Sequence, residues 1–175
     1  MANQNSSFAK ERSIPGGSNP ILKAWLIAGT LDISCALLYY YIKTGNDPLN
    51  VLTYVAKTAL GQELLNNKPI LCVMGLLIHF VIAFGWTIIF FWLYPKLKLL
   101  QGNKVITGLV YGLFIWLVMT LVVVPLRTSP LGTLNMPHLK IENSIIGAVI
   151  LMLAVGLPVS LIIGNYYSKK TSTVQ

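Results

Sequence analysis

The chain has 175 residues, of which 55% are hydrophobic and only 10% are charged, and its mean hydropathy is +0.69. Soluble globular proteins carry about 25% charged residues, so these values exclude that class and indicate an integral membrane protein. The net charge of +8 does not point to nucleic acid, because the basic residues are spread between apolar segments and are not gathered on one face.

A polar segment comes first and four apolar runs follow it. Residues 1–20 lack the basic start and the cleavage site of a secretory signal, so we expect a flexible polar tail. Each run is long enough to cross a hydrocarbon core of about 30 Å as a helix. The runs cover residues 21–42, 69–94, 105–126 and 143–167, and residues 169–175 form a C-terminal tail. The sequence therefore predicts one all-α domain over 21–168, an integral membrane four-helix bundle.

The connection between the first two runs predicts an additional helix over residues 48–61. Asp47 is a good helix cap, Pro48 suits a first helical turn and Gly61 is a plausible stop. Apolar and polar residues separate onto two faces at helical spacing. This pattern is typical of an interfacial amphipathic helix that rests in the lipid headgroups, and a lid over a cavity between the spans is the alternative.

Basic residues predict the orientation of the spans. One side of the membrane receives Lys10, Arg12, Lys23, Lys96, Lys98, Lys104, Lys169 and Lys170. The other side receives Lys43, Lys57, Lys68, Arg127 and Lys140. Because cytoplasmic segments carry the excess of Lys and Arg, this distribution predicts that both termini are cytoplasmic.

Two ionisable residues lie near the middle of the bilayer. Asp32 is the only carboxylate inside the apolar runs, and it lies about 16 Å from the inner boundary. His79 lies about 15 Å from the outer boundary in the next run, and runs joined by a short connection usually pack as antiparallel neighbours. We therefore predict a contact between Asp32 and His79, as an ion pair or through a shared proton.

The helical faces around these two residues carry further candidates. The residues that share those faces, and so are possible lining of a site, are Gly29, Cys35, Tyr39, Gly75 and Trp86. A polar pair on such faces can bind a cation, relay a proton or orient a solute, or it can only fix helix packing. Both interpretations stay open at this point.

Catalytic chemistry has little support in the sequence. Cys35 and Cys72 contain thiols that ligate zinc, but no ligand spacing supports a metal site. No nucleophile constellation or phosphate-binding glycine loop is present. We assign no catalytic residue, expect neither metal nor cofactor, and favour a role without catalysis while leaving a membrane enzyme open.

Glycines in the third and fourth runs predict tight helix crossings. Gly108 and Gly112 are four residues apart in the third run, and Gly156, Ser160 and Gly164 follow the same spacing in the fourth. Small residues at this spacing let helix backbones approach closely in lipid.

Together these features predict a multi-pass membrane protein that binds or transports a small solute or ion through Asp32 and His79. Since four spans enclose little space, we expect a homo-oligomer, with the lipid bilayer as the other partner. The alternative is a structural or partner membrane protein in which the polar pair fixes helix packing.

Several segments carry a family resemblance. They are residues 28–33, 75–84, 94–98 and 108–112 with Pro125 and Leu126. In these segments the chain resembles a family of small uncharacterised bacterial inner-membrane proteins, and it is distantly similar to YagU-like membrane proteins. The resemblance covers most of the chain after residue 20 and implies a helical bundle in the bacterial plasma membrane. It implies no reaction.

Overall fold

The computed structural model describes residues 19–61, 67–123 and 141–172, and the secondary structure of these residues is helical. The helices are α1 (Pro20–Thr44), α2 (Leu49–Leu60), α3 (Lys68–Leu93), α4 (Lys104–Val118), α5 (Ile141–Leu151) and α6 (Leu157–Ser172). A short 3₁₀ helix, Lys98–Gln101, precedes α4. Two π-helical segments complete the list, Met119–Val123 after α4 and Met152–Gly156 between α5 and α6.

Within the described residues, four stretches of helix are long and apolar enough to cross a membrane. They are Pro20–Thr44, Lys68–Leu93, Lys104–Val122 and Ser144–Lys169. The last runs through α5, its π-helical segment and α6. The prediction of an all-α fold with four membrane-length helices is confirmed. The predicted N-terminal tail and the connection that contains Arg127 lie outside the described residues.

Local signals explain where the first span begins and ends. The side chain of Asn19 accepts a hydrogen bond from the backbone N–H of Ile21 at 3.1 Å, and Pro20 occupies the first helical turn. At the other end Gly45 adopts a φ of 67°, and its N–H donates to the carbonyl of Tyr41. This left-handed conformation costs glycine nothing, so the helix stops here.

Helix α2 is fixed at its start by Asp47. One oxygen of this carboxylate accepts from the backbone N–H of Leu49 at 2.9 Å, and the other accepts from Nζ of Lys68 at 2.7 Å. The hydrogen bond from Lys68, together with that from Leu49, lowers the pKa of Asp47 below its ordinary value. Further along, the backbone of α2 at Leu52 lies directly against Gly75 of α3. The amphipathic helix therefore packs on α3 through backbone contact.

The third and fourth spans cross at their glycines. The backbone of Gly108 lies against that of Gly156, and a Cβ at Gly112 would fall 2.5 Å from the Cα of Met152. Near the same crossing, the hydroxyl of Ser160 donates to the carbonyl of Lys104 at 2.7 Å. The glycine motif of the third span therefore contacts the glycine motif of the fourth span. The two motifs belong to one helix crossing.

The buried core occupies the half of the bundle that contains the start of α1 and the end of α3. Its members include Ala24, Ala28, Phe90, Tyr94, Tyr111, Ile115, Val155, Val159 and Ile163. Tyr111 is buried in this cluster, and its hydroxyl donates to the carbonyl of Trp86 at 2.6 Å.

We predict that Gly112→Ala destabilises the bundle by about 1–3 kcal/mol, because the new methyl group overlaps the backbone of the fourth span. Gly85→Ala is the matched control, since a Cβ at Gly85 meets nothing within 4 Å. Thermal unfolding of the purified variants in detergent measures both effects. Equal unfolding temperatures for the two variants would contradict the close contact between the third and fourth spans at Gly112.

We also predict that the attachment of α2 weakens in acid. A carboxylate whose pKa is lowered by folding contributes stability that is fully present above its unfolded pKa and is lost as pH falls through its folded pKa. For Asp47 the loss occurs below a pH of about 3.8. The hydrogen-exchange protection factors of residues 49–60, which are corrected for the intrinsic pH dependence of exchange, should fall there in the wild type. In Asp47→Asn these protection factors should already be lower than in the wild type at neutral pH, and a wild-type profile in that variant would contradict the role of the carboxylate.

A cavity between the spans as the candidate functional site

A cavity of about 400 Å³ lies between the helices beside the core, and Ile115 and Val155 belong to both. Side chains from α1, α2, α3, α4 and the fourth span line it, and most of them are aliphatic. The polar and aromatic residues of the wall are Asp32, Tyr39, Tyr40, His79, Trp86 and Trp116. Its size falls in the range of about 300–1,000 Å³ that is typical of ligand pockets.

Small residues and irregular helices make the space. Ala36, Ala83 and Gly147 line the cavity from three different spans, and their short side chains leave room that larger residues would fill. Met119 and Val155, which also line it, belong to the two π-helical segments. Single π-helical turns inside α-helices occur frequently at functional sites. The regular packing of the spans therefore loosens where the cavity lies.

Two reciprocal hydrogen bonds hold α1 against α3 beside the cavity. The imidazole of His79 lies with its Nε2 3.0 Å from the carbonyl oxygen of Gly29. A carbonyl only accepts, so Nε2 carries the proton and donates. In the opposite direction the indole N–H of Trp25 donates to the carbonyl of Phe80 at 2.8 Å. Gly29 allows this approach, since a Cβ there would lie 3.0 Å from the Phe80 ring.

Asp32 lies one helical turn beyond Gly29, and its carboxylate opens into the cavity. Asp32 and His79 line the same space and interact electrostatically. In the described part of the chain no hydrogen bond or ion pair joins them, because the bond of His79 goes to Gly29. The structure thus places Asp32 and His79 at the same cavity, with the imidazole anchored to backbone.

The carboxylate oxygens of Asp32 are not sealed by apolar side chains. Among the described residues no buried side-chain oxygen or nitrogen lacks a hydrogen-bond partner. Asp32 has none of the hydrogen bonds found in the described segments, so its oxygens are at least partly accessible at a surface, and Asp32 is one of the residues that line the cavity. Leaving a carboxylate unpaired and without water is costly, and water or a partner that enters the cavity would lower that cost.

The other predicted lining residues divide into two groups. Tyr39 and Trp86 lie in the cavity wall as expected. Gly29, Cys35 and Gly75 do not line the cavity. Gly29 supplies the carbonyl that His79 binds, and Gly75 is the point on α3 where α2 makes contact. The half-buried thiol of Cys35 is free, and the described residues contain no cluster of three or more metal-ligating side chains.

The sequence interpretation missed Trp116 and Tyr40, and it gave a contribution of α2 only as the alternative, a lid over a cavity between the spans. Val51 and Val55 of α2 line the cavity, so this helix forms part of its wall as well as packing on α3. Val55 belongs to the predicted apolar face, which was the available signal. Trp116 lies beside Gly147, with Nε1 3.4 Å from the position of a Cβ at that glycine. This contact depends on how the third and fourth spans are aligned along their length, which the sequence alone does not define.

These features define the class of the protein: a helical multi-pass membrane protein with a mostly apolar cavity that contains one carboxylate and one imidazole. Comparison of the chain with protein-family models, with curated proteins and with solved structures gives no match. The similarity to YagU-like membrane proteins therefore stays a prediction.

We predict that a cysteine in the cavity wall reacts faster with methyl methanethiosulfonate than a cysteine in the core. Ala36→Cys and Ala28→Cys are a matched pair on α1, because Ala36 lines the cavity and Ala28 is fully buried. Both are made after Cys35 and Cys72 are replaced by alanine. Mass spectrometry should show labelling at position 36 at least ten times faster, and similar rates at both positions would contradict an accessible cavity.

Proposed function

We propose that the protein binds a small solute or ion in the cavity between its spans and transports it, with Asp32 and His79 as the polar contacts. The observation that carries this proposal is the carboxylate of Asp32, which opens into a space of about 400 Å³ at membrane depth. An ionisable residue inside a membrane is costly and usually faces a solute pathway or a water-filled cavity. A mostly apolar pocket with few polar groups is also the usual form of a small-molecule site.

His79 and Asp32 are suited to different parts of this task. Because Nε2 of His79 donates to the Gly29 carbonyl, Nδ1 is the nitrogen left to accept a proton or a hydrogen bond from a solute. Asp32 is held on the same wall and interacts with the imidazole. Protonation of either group changes the charge that a solute meets, and this supports a proton-linked cycle.

The orientation follows from charge. We infer that both termini are cytoplasmic, since eight of the 13 Lys and Arg residues fall on that side. In this orientation α2 and the cavity belong to the outer half of the membrane. The family resemblance supports the bacterial plasma membrane as the location. The cavity is formed within one chain, so the binding proposal does not require an oligomer.

A packing role for the polar residues is the second candidate, and one observation favours it. His79 and Trp25 each bind a backbone carbonyl across the contact between α1 and α3. Hydrogen bonds between membrane helices contribute about 0.6 kcal/mol on average. On this interpretation Asp32→Asn changes stability without changing any flux, whereas the transport proposal predicts the reverse.

We predict that a solute dissipates a pH gradient across reconstituted vesicles only when the wild-type protein is present. A trapped pH-sensitive dye reports the gradient while amines, alcohols and amino acids are added one at a time. Asp32→Asn should reduce the solute-dependent flux at least tenfold, because an amide can neither carry the charge nor exchange the proton. Ser34→Asn, at an exposed position on the same helix, is the control and should retain the flux.

Two outcomes contradict the proposal. Flux that survives Asp32→Asn would rule out the proton-linked mechanism. A screen in which no solute gives protein-dependent flux, together with lowered thermal stability of Asp32→Asn, would favour the packing role.

A further inference from the structure

We propose that the cavity selects a lipophilic organic cation, a substituted ammonium group attached to an apolar body. This inference rests on the proposed function, because it names the class of solute that the same cavity takes. It is argued from the charge, the aromatic residues and the shape of the wall.

The charge of the wall favours a cation. Among the described residues, Asp32 is the one carboxylate in the lining, and no Lys or Arg lines the cavity. An anion would meet Asp32 in a space with little water, where like charges repel strongly. A cation would instead supply the counter-charge that a desolvated carboxylate requires. In the described part of the wall, His79 is the only side chain with an ionisable nitrogen, and its Nε2–H is already used by the Gly29 carbonyl.

The lining does not suit a metal ion. Calcium takes six to eight oxygen ligands and sodium-sized hard cations likewise need several oxygens, whereas the cavity offers one carboxylate and two phenol groups among mostly aliphatic side chains. The described residues also contain no group of three or more His, Cys, Asp or Glu side chains that could hold a metal. A cation that brings its own apolar surface fits this wall better.

Aromatic rings supply the second attraction. Tyr39 and Tyr40 of α1, Trp86 of α3 and Trp116 of α4 line the cavity from three spans. The face of an aromatic ring attracts an ammonium group, and tryptophan does so most strongly. Ammonium groups with methyl substituents are bound in this way because they have little ability to donate hydrogen bonds and lose little hydration.

The ring of Trp86 is positioned in advance. Its centroid lies 6.5 Å from that of Tyr111 and 6.1 Å from that of Phe114, in edge-to-face arrangements. Tyr111 is itself fixed by the hydrogen bond from its hydroxyl to the Trp86 carbonyl at 2.6 Å. A wall that is ordered before binding loses less side-chain entropy when a ligand enters.

The remaining surface explains why the ligand carries an apolar body. Val51 and Val55 of α2, Ile82 of α3 and Ile115 of α4 line the cavity beyond the polar and aromatic groups. Burying an apolar surface against these side chains adds about 25 cal/mol per Å². A small hydrated amine makes few of these contacts, so the combination of charge and apolar surface is what the cavity recognises.

A pair of isosteric ligands tests the proposal without any variant. The probes are (3-hydroxyphenyl)trimethylammonium and 3-tert-butylphenol, which share their shape and differ in charge. Isothermal titration calorimetry is done with the full chain in lipid nanodiscs, and binding to empty nanodiscs is subtracted. We expect the ammonium compound to bind at least ten times more tightly than the neutral phenol. Equal affinity, or tighter binding of the neutral compound, would overturn the proposal.

Three variants locate the preference in the cavity. Asp32→Asn should reduce the ammonium preference at least tenfold, and Trp116→Leu should reduce it about threefold or more, in keeping with the strength of a desolvated cation–π contact. Trp92→Leu is the matched control, since Trp92 is an exposed residue that lies outside the cavity. A preference that persists in both Asp32→Asn and Trp116→Leu would contradict this site even if the wild type prefers the cation.

The same titrations separate failure of this inference from failure of the proposed function. Suppose that the neutral phenol binds as tightly as the cation, and that its binding is lost in Ala36→Phe, which fills the cavity, but kept in Leu38→Phe on the exposed side of α1. The cavity is then a binding site, and the proposed cation preference is wrong. If neither probe binds the wild type and no solute gives protein-dependent flux, the binding proposal itself fails.

Discussion

Close backbone contact at glycine is the constraint on which the structure depends. Lipid tails are as apolar as leucine, so membrane helices gain little from hiding apolar side chains and associate through packing and hydrogen bonds. In this chain Gly108, Gly112 and Gly156 bring two spans together, Gly29 brings α1 against α3, and Gly75 seats α2 on α3. These contacts fix the helices where side chains are small. The cavity lies beside these contacts, where Ala36, Ala83 and Gly147 leave space between the spans.

A carboxylate inside a membrane span is energetically costly, and Asp32 lies at a cavity instead of against lipid or close-packed side chains. The carboxylate has space in front of it, an imidazole on the neighbouring span and aromatic rings around it. A residue that only fixed helix packing would bind its neighbour directly, as His79 does with Gly29 and Trp25 does with Phe80. The contacts of Asp32 therefore differ from those of His79 and Trp25. Backbone hydrogen bonds hold the helices, and the carboxylate of Asp32 takes no part in them.

Much of the fold could be predicted from the sequence, because the information is local. Membrane-length apolar runs predict spans, and Asn19, Gly45 and Asp47 mark helix ends by chemistry that acts within a few residues. Depth along a helix was enough to place Asp32 and His79 at one level. Whether the imidazole binds the carboxylate or the carbonyl one turn earlier depends on helix rotation, which periodicity defines too coarsely. Trp116 and Gly147 meet only through the register of two spans that a long connection joins, so neither signalled the cavity alone.

The central claim is that the carboxyl group of Asp32 faces a space that water and solute can enter. Solid-state NMR of the labelled protein in bilayers measures this directly, by the rate at which magnetisation passes from water to the Asp32 carboxyl carbon. The account predicts a rate below that of the exposed Asp47 carboxyl carbon but much faster than that of the fully buried Ile163 side chain. A rate for Asp32 as slow as that of Ile163 would contradict the account.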